Sequence, residues 1–313
     1  MPKVSVIIPN YNHALYLEQR IETVFNQSWQ DFEVIILDDC STDNSRDIIE
    51  RYRTHQKIKH IVYNDVNSGS TFKQWDKGIE LCAGEFIWIA ESDDWCEPFF
   101  LNEVMSGMLG DSNCVLGYCQ SICIENDNKI KWQSYYEYIG NCIEGKSFIE
   151  RHMLTNNAIF NASMAVWKRE IFLKVSKEYM DYHYCGDWLF WIEVSRHGNV
   201  FVSGKLLNYF RKHKQDVSGL AIQSGQNFIE ELTMFVLIYE RKWISYGNLL
   251  ESLKSEYVPY KAVARNLNSA TRKRIEALFF TIPYAKSDLR SHYFSFYSKY
   301  AIRKIIKMVG LVN

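Results

Sequence analysis

The sequence predicts an α/β protein with a mainly parallel central sheet, helices on both faces and a helical extension at the C-terminus. Three observations lead to this fold class. Strand-sized apolar runs alternate with amphipathic segments over residues 1–95, and polar residues follow each run. Continuous apolar strands separated by helices are typical of parallel sheets covered on both faces. The chain also has 313 residues, 47% of them hydrophobic, which suffices for a large core and excludes intrinsic disorder.

The first seven elements alternate between strand and helix. β-Branched and aromatic runs predict the strands, and apolar residues at helical spacing predict the helices. The strands are predicted at residues 4–9, 33–37, 58–63 and 86–90, and the helices at residues 14–26, 41–52 and 72–82.

The rest of the chain is less regular up to about residue 215 and then helical. We predict an α/β domain at residues 1–217 and a helical, basic region at residues 218–313. The further predicted helices are residues 98–108, 187–195, 227–244, 249–267 with a break at Pro259, 270–280 and 293–308, and the further predicted strands are residues 114–124, 163–167, 199–202 and 206–210.

Charge and cysteine usage exclude several classes of protein. The formal net charge of −1 argues against a nucleic-acid binder. No apolar run approaches the roughly 20 residues that span a bilayer, and the first strand begins too early for a signal peptide. None of the eight cysteines forms a CxxC pair, so we expect reduced core cysteines and a cytoplasmic location.

Residues 261–313 hold eleven Lys and Arg and only two acids. Basic and bulky apolar residues alternate at helical spacing in residues 290–313, which suits an amphipathic helix on an anionic membrane surface. The hypothesis that follows is a peripheral protein of the inner membrane face. The alternative is a basic helix that packs on the acidic remainder of the same chain.

Acidic residues follow the fourth predicted strand, at Glu91, Asp93 and Asp94. Carboxylates on such a turn can bind Mg²⁺ or Mn²⁺, which favour oxygen ligands and bridge to substrate phosphates. A cation there would neutralise charge on a leaving diphosphate. The alternative is a solvated acidic turn that caps the next helix.

Polar residues also follow the first two strands. Asp38 and Asp39 can accept hydrogen bonds from a base or a ribose, and the segment Asn10-Tyr11-Asn12 adds an aromatic face and amides. Stacking combined with hydrogen bonding is how proteins hold a nucleobase. The sequence contains neither GxGxxG nor GxxxxGK[ST], so binding of a nucleotide diphosphate through a metal is favoured.

These segments together resemble the family 2 glycosyltransferases, which have the Rossmann-like GT-A fold. The resemblance covers about residues 3–215. It implies an inverting transfer of a sugar from a nucleotide-sugar donor to a hydroxyl of a saccharide, with a divalent cation, in cell-surface polysaccharide assembly. The basic tail adds the hypothesis that this acceptor is a lipid-linked saccharide at the membrane. The matching segments are VSVIIPNYN at 4–12, DDCSTD at 38–43, NSG at 67–69 and GEFIW at 84–88 leading into ESDD at 91–94.

The resemblance also implies roles for individual residues. Asp187, in the segment Cys185-Gly186-Asp187-Trp188, corresponds to the catalytic base, although Gly186 stands where many relatives have glutamate. Asp94 corresponds to the principal metal ligand, and Asp93 to an acid that faces both ribose and metal. The remaining implied contacts are Pro9, Tyr11 and Asp39 with the base and ribose, Lys73 with the phosphates or nucleotide, and Arg211 and His213 with the diphosphate or metal. From the residues alone, Asn12 is predicted to contact the nucleotide and Glu91 the diphosphate or metal.

Two other functions remain open from the sequence. A sugar nucleotidyltransferase also uses an α/β sheet, a nucleotide and a metal, but usually has a glycine-rich basic loop after the first strand, where this chain has NYNH. The second is a non-catalytic module, a transferase-like domain that has lost its activity and docks on a membrane through its basic tail. The presence of all four acids, Asp39, Asp93, Asp94 and Asp187, argues against such a loss of activity.

Overall fold

A computed structural model describes residues 2–125, 129–212, 224–281 and 285–308. The contacts divide the chain into two compact units. The first comprises the described residues within 1–149 and 157–216, and the second those within 150–156 and 217–313. The domain boundary predicted at residues 217 and 218 lies outside the described residues and stays a prediction.

A ten-stranded sheet forms the centre of the first unit. Its main path runs β3-β2-β1-β4-β9-β6-β10-β5, while β7 pairs with β6 and β8 with β10. The strands are β1 Val4–Asn10, β2 Phe32–Asp38, β3 Ile58–Tyr63, β4 Phe86–Ile89, β5 Trp95–Cys96, β6 Cys114–Glu125, β7 Ile130–Gln133, β8 Gly140–Ile143, β9 Ala165–Lys168 and β10 Asn199–Lys212.

The first four strands are parallel to one another, and β6 is parallel to β10. Strand β9 runs antiparallel to both β4 and β6, and so joins the two parallel groups. β1 and β2 are buried at all seven positions, as continuous apolar strands require. The carboxyl ends of the first four strands therefore meet at one edge of the sheet, where ligands bind in open α/β sheets.

Helices accompany the sheet in the first unit and form the second unit. No helix among the described residues is long and apolar enough to cross a membrane. The helices of the first unit are α1 Ala14–Phe25, α2 Ser45–Arg51, α3 Thr71–Glu80, α4 Phe100–Leu109, α5 Gly145–Phe148 and α6 Gly186–Ser195, and those of the second are α7 Gln226–Glu240, α8 Tyr246–Val263, α9 Ser269–Phe279 and α10 Ala285–Met308.

Aromatic residues dominate the core around α6. This helix is apolar on nearly every side, and only Asp187 among its ten residues escapes full burial. The ring of Trp191 lies 5.4 Å from Trp167 on β9 and 6.2 Å from Trp75 on α3. α6 is therefore fixed between the sheet and α3. All eight cysteines are free and six are buried, as expected for core thiols.

Four predicted elements differ clearly from the structure. Residues 199–202 and 206–210 form one strand, β10, because β6 and β8 pair with it on either side and bulges between Val202 and Asn208 absorb the irregular segment. Helix α8 continues through Pro259, where the buried rings of Tyr257 and Tyr260 hold the next turn in place. Helix α10 begins at Ala285, eight residues earlier than predicted.

The second unit has its own aromatic core. The Tyr260 ring lies 5.9 Å from Phe228 on α7 and 5.4 Å from Phe279 on α9, and its hydroxyl donates to Glu276 Oε1 at 3.1 Å. The Tyr257 ring lies 5.1 Å from Phe279. Stacked and edge-on rings of this kind contribute more than their buried area alone. The predicted helical C-terminal region thus forms a packed helical unit.

Candidate functional site

The loops after β1 and β2 are tied together at the carboxyl edge of the sheet. Asn10 Nδ2 donates to Asp38 Oδ1 at 2.9 Å and to Ser41 Oγ at 3.1 Å. The Asp39 amide donates to the carbonyl of Asn10 at 2.8 Å. Asn12, whose φ of 55° is left-handed, donates its backbone N–H to Ser41 Oγ. The two loops thus form one ordered surface.

The Asp39 carboxylate lies in this surface and is buried. It accepts hydrogen bonds from Asn64 Nδ2 at 2.6 Å, from Gln74 Nε2 at 3.0 Å, and from both the amide and the hydroxyl of Ser68. A charged acceptor with several donors is held rigidly. Asp39 therefore anchors the loop between β3 and α3, and its predicted contact with a nucleotide stays a prediction.

The other predicted nucleotide contacts occupy different environments. Pro9 is buried within β1, opposite Leu37. The Tyr11 side chain is 45% exposed, so its ring is free to stack on a ligand. Lys73 is an exposed residue in the first turn of α3, and its ammonium group reaches the Ser68 carbonyl at 3.4 Å.

The acidic turn follows β4 directly. Asp94 is buried, and its carboxylate accepts from Asn161 Nδ2, from Ser163 Oγ at 2.7 Å and from the backbone N–H of Arg211 at 3.0 Å. Glu91 accepts from the Trp75 indole N–H at 2.9 Å. These donors come from elements distant in sequence, so the turn is fixed by the tertiary fold.

Buried negative charge accumulates on this turn. Burial, together with the nearby charge of Asp93, raises the pKa of Glu91 to about 8 and that of Asp94 to about 7. The guanidinium group of Arg20 opposes this shift only in part. A cation beside the turn would favour the charged carboxylates.

Arg20 and Arg211 hold the acidic turn through hydrogen bonds to its backbone carbonyls. Arg20 is fully buried and donates through Nε to the Glu91 carbonyl at 2.9 Å. Arg211 donates through Nε to the Asp93 carbonyl at 2.9 Å and through Nη2 to Gln19. The rings of Tyr16 and Trp95 each lie 4.4 Å from the Arg211 guanidinium carbon, so it packs against two aromatic faces.

The predicted contact of Arg211 with the diphosphate or metal stays a prediction. In the structure its guanidinium group already binds protein acceptors, and the residue is 8% exposed. The described contacts therefore assign it a supporting position beneath the acidic turn. His213, predicted for the same role, lies outside the described residues.

Asp187 lies in the first turn of α6, which begins at Gly186. Its Oδ1 accepts the backbone N–H of Trp188 at 2.8 Å, and burial raises its pKa to about 7. A Cβ atom on Gly186 would lie 2.2 Å from the Tyr179 carbonyl oxygen and 2.6 Å from the Phe72 ring. Glycine at position 186 is thus a steric requirement of this chain.

Helix α3 connects the three acidic positions. Gln74 donates to Asp39, and the next residue, Trp75, donates to Glu91. Phe72, on the same turn, lies against Gly186, the neighbour of Asp187. The start of α3 therefore brings the loops after β2 and β4 and the start of α6 to one place on the carboxyl edge.

The donor set suits a hard divalent cation. Asp93 and Asp94 offer carboxylate oxygens, and the raised pKa values of Glu91 and Asp94 mark a deficit of positive charge. The described part of the chain gathers no group of three or more His, Cys, Asp or Glu with the spacing of a metal cage. One or two carboxylates suffice for Mg²⁺ when substrate phosphates complete the shell.

Several residues of the site were missed from the sequence. They support the acids through contacts between segments 16–71 residues apart, which spacing alone does not reveal. Arg20 had one available signal, since a charged residue on the apolar face of α1 needs a buried partner. These supporting residues are Arg20, Gln74, Trp75, Asn161, Ser163 and Asn208.

A cavity of about 1100 Å³ lies at the opposite edge of the sheet. Pro2 and Lys3, just before β1, and Glu85, just before β4, line it together with residues 168–170. These positions are at the amino ends of the parallel strands. The cavity is therefore separate from the acidic residues at the carboxyl ends.

Comparison with known proteins agrees with the predicted family. The model of "Glycosyl transferase family 2" matches residues 5–175. A Bacillus subtilis protein named putative teichuronic acid biosynthesis glycosyltransferase TuaG is 41% identical over 117 residues, which are 37% of this chain and 46% of that protein. A Campylobacter jejuni GalNAc(5)-diNAcBac-PP-undecaprenol beta-1,3-glucosyltransferase is 24% identical over 217 residues, 69% of this chain and 67% of that protein.

Solved structures share the fold. S. aureus TarS 1–349 in complex with UDP-GlcNAc has a TM-score of 0.61 at 18% identity, over 96% of this chain and 91% of that chain. Mannosyltransferase PcManGT from Pyrobaculum calidifontis, in complex with GDP-Man and Mn²⁺, has a TM-score of 0.57 at 14% identity, over 95% and 86% of the two chains.

The chain spans less than half the length of the first curated relatives it matches, 46% of one and 32% of another. The family model nevertheless covers more than half of this chain. The fold, with its central sheet and C-terminal helices, agrees with these structures and confirms the predicted class. The chain belongs to glycosyl transferase family 2.

Proposed function

We propose that the protein is an inverting glycosyltransferase that moves a sugar from a nucleotide diphosphate sugar to a hydroxyl of a saccharide or lipid-linked saccharide, in assembly of a bacterial cell-surface polysaccharide. One observation carries the proposal. Helix α3 contacts Asp39, Glu91 and the start of α6 within a single turn. The acidic groups proposed to contact the nucleotide, the diphosphate and the acceptor hydroxyl therefore lie together at one edge of the sheet.

The donor is proposed to bind over the loops after β1 and β2. The exposed Tyr11 ring offers a stacking face, and Pro9, Asn12, Asp39 and Asp93 surround the base and ribose. Lys73, exposed at the start of α3, is suited to the phosphates. Relatives of the same fold have been solved with UDP-GlcNAc and with GDP-Man, which supports a nucleotide-sugar donor.

A Mg²⁺ or Mn²⁺ ion is proposed to bind Asp93 and Asp94 together with the donor phosphates, with Glu91 nearby. When bound, it supplies positive charge that stabilises the departing diphosphate. Asn161, Ser163 and the Arg211 amide orient the Asp94 carboxylate, which keeps its position before the donor arrives. Arg211 and His213 remain proposed diphosphate or metal contacts.

Asp187 is proposed as the general base. A carboxylate whose pKa is near 7 accepts a proton efficiently at neutral pH while remaining largely ionised above that value. It takes the proton of the acceptor hydroxyl as that oxygen attacks the anomeric carbon. The bond from the anomeric carbon to the β-phosphate oxygen breaks at the same time, so the configuration of the sugar inverts.

The C-terminal helix is proposed to hold the protein on an anionic membrane surface, as a cytoplasmic enzyme at the inner face. Phe294, Phe296 and Tyr297 on α10 are 72%, 46% and 40% exposed. Exposed aromatic residues beside basic ones suit the boundary between lipid headgroups and acyl chains. The undecaprenol in the name of the Campylobacter relative supports a lipid-linked acceptor.

Nucleotide release from a panel of nucleotide sugars tests the proposal. Released nucleoside diphosphate, in reactions with Mn²⁺, is the expected product of donor hydrolysis and transfer. With pyrophosphate added, a nucleotidyltransferase would instead release nucleoside triphosphate and sugar 1-phosphate from the nucleotide sugar. Release of none of these products would indicate a non-catalytic module. The Asp187→Asn variant is the control, since it should keep donor binding and lose acceptor-dependent turnover.

A further inference from the structure

Three aromatic residues adjoin the acidic turn on the side away from the nucleotide loops. Trp132 on β7 and Phe210 on β10 both pair with Cys123 on β6, so their side chains point to one face of the sheet. The small Cys123 side chain lets the two rings approach to 6.3 Å. Phe160 packs 4.8 Å from Trp132, and the two ring planes meet at 58°. We call Trp132, Phe160 and Phe210 the aromatic cluster.

The aromatic cluster is continuous with the network that holds Asp94. Phe160 directly precedes Asn161, whose amide donates to Asp94. Asn208, two residues before Phe210 and on the same face, donates to Asn161 Oδ1 at 3.2 Å. Two residues along a strand span about 6.6 Å, which is the separation of Asn208 and Phe210 along β10. The cluster therefore adjoins the side chains that hold Asp94.

The cluster is accessible. Phe160 is 37% exposed, and Trp132 and Phe210 are partly exposed. Lys212 places its ammonium group 4.7 Å from the Phe210 ring centre, at the rim of the cluster. Aromatic faces with a few polar groups beside them are typical of small-ligand sites.

We propose that the aromatic cluster is the acceptor subsite, where a pyranose ring of the acceptor saccharide packs its apolar face on these rings. One face of a pyranose carries several C–H bonds with partial positive charge, and the face of an aromatic ring is negative. Packing there leaves the sugar hydroxyls free for Lys212 and for the reaction. The inference rests on the proposed function, since it names the acceptor side of the same site.

A saccharide fits this surface better than the other apolar occupants. The rings meet at about 60°, so they form separate faces rather than a smooth apolar groove for an acyl chain. Polar groups at the rim would also lose their hydrogen bonds to water against a lipid, whereas sugar hydroxyls replace those bonds. Continuity with the Asp94 network places the cluster where an acceptor must lie.

An oligosaccharide array probed with labelled full-length protein tests the subsite. The Phe160→Ala variant should lose at least about tenfold of the binding that the wild-type protein shows, and Phe160→Trp should keep it because it restores an aromatic face. Tyr246→Ala is the matched control, because Tyr246 is 38% exposed and lies in the second unit. Phe210→Leu, on a separate strand, serves as a second variant if Phe160→Ala does not fold.

Donor hydrolysis by the same proteins separates the two proposals. The variants should release nucleoside diphosphate from the donor at the wild-type rate without acceptor. Normal hydrolysis combined with unchanged array binding by Phe160→Ala and Phe210→Leu overturns the subsite alone, as does a wild-type protein that retains no oligosaccharide. Absence of hydrolysis in the wild-type protein with every donor overturns the proposed function itself.

Discussion

Asp187 is a residue whose charged form is disfavoured by the folded protein. Burial raises its pKa from 3.8 to about 7. The cost to stability is absent below the unfolded pKa, grows as the pH rises between 3.8 and 7, and is complete above 7. A proton acceptor near neutral pH is therefore obtained at the expense of stability, as often happens in active sites.

The Asp187→Asn substitution should separate these two effects. Turnover should fall by at least about 10²-fold, since the proton acceptor is lost. The melting temperature should rise, because asparagine does not ionise and so avoids the free-energy cost of a buried carboxylate. The rise should be larger at pH 8 than at pH 5.5, since that cost increases up to about pH 7. Turnover assays and thermal melts at both pH values measure this. Near-normal turnover would remove Asp187 from the mechanism.

Asp94 and the cation should act together on donor binding. Chelation with EDTA and the Asp94→Asn substitution should each weaken donor affinity by at least about tenfold, because the diphosphate loses its charge partner. Calorimetric titration of the donor, with and without Mn²⁺, measures this. Asp65→Asn is the matched control, an exposed acid at the same edge of the sheet. Donor affinity that is indifferent to the chelator would count against the cation.

Gly186 should tolerate no side chain. The Gly186→Ala substitution places a Cβ atom against the Tyr179 carbonyl and should destabilise the fold by about 1–3 kcal/mol. Gly247→Ala is the control, because its nearest neighbour would be 3.8 Å away in a helix that favours alanine. Equal melting temperatures for both variants would show that the start of α6 can move.

Sequence reasoning predicted the acids of the candidate site but not the residues that hold them. Asp93 and Asp94 follow a predicted strand, so local pattern singles them out, whereas the predicted role of Asp187 rests on the family resemblance. The partner of Asp94, Asn161, lies 67 residues further along the chain. Such a contact depends on the strand order, which no local pattern contains.

Strands with continuous apolar sequence were predicted well, because burial on both faces leaves an uninterrupted apolar run in the sequence. Strands β1 to β4 agree with prediction to within about a residue at most ends. The single strand β10 and the helix through Pro259 were not predicted. In both, neighbouring elements stabilise a backbone that its own sequence would interrupt.

Helix α3 links the nucleotide loops to the acidic turn, and Trp75 is its contact with Glu91. The Trp75→Phe substitution removes the indole N–H but keeps an aromatic ring against Phe190. Glu91 then loses a donor that stabilises its charge, so donor affinity in Mn²⁺ should fall several-fold with little change in melting temperature. Titration of the donor measures the effect.

Trp29→Phe is the control for that substitution. The indole N–H of Trp29 is buried without a hydrogen-bond partner, so its removal should leave donor affinity unchanged. Equal affinities of the Trp75→Phe and wild-type proteins would show that the hydrogen bond to Glu91 has no part in donor binding.

Charge is distributed unevenly over the whole molecule. Residues 261–313 carry a net charge of +9, and residues 1–260 carry −10. The active edge is acidic, and the positive charge lies in the helical second unit. The electrostatic attraction between a basic segment and an anionic surface is screened by salt, so it is strongest at low ionic strength.

Binding of the full-length protein to liposomes should therefore depend on the end of α10. Replacement of Arg303, Lys304 and Lys307 by glutamate should abolish co-sedimentation with phosphatidylglycerol liposomes at low salt, since each basic residue near the surface contributes about 1 kcal/mol. Centrifugation followed by protein quantification measures the bound fraction.

Replacement of the exposed residues Lys59, Lys146 and Lys174 by glutamate changes the net charge equally and serves as the control. It should leave co-sedimentation intact. A wild-type protein that stays in the supernatant at low salt would contradict the membrane proposal and favour packing of the basic helix on the acidic part of the chain.

Apart from Arg211 and His213, the groups proposed to hold the donor come from one uninterrupted stretch that ends at Asp94, whereas the aromatic cluster is assembled from segments between residues 132 and 210. A single genetic crossover just after β5 would therefore exchange the sugar-nucleotide preference of two family members and leave the identity of the recipient glycan untouched. Donor and acceptor specificities can therefore be recombined independently, in evolution or in engineered chimaeric genes.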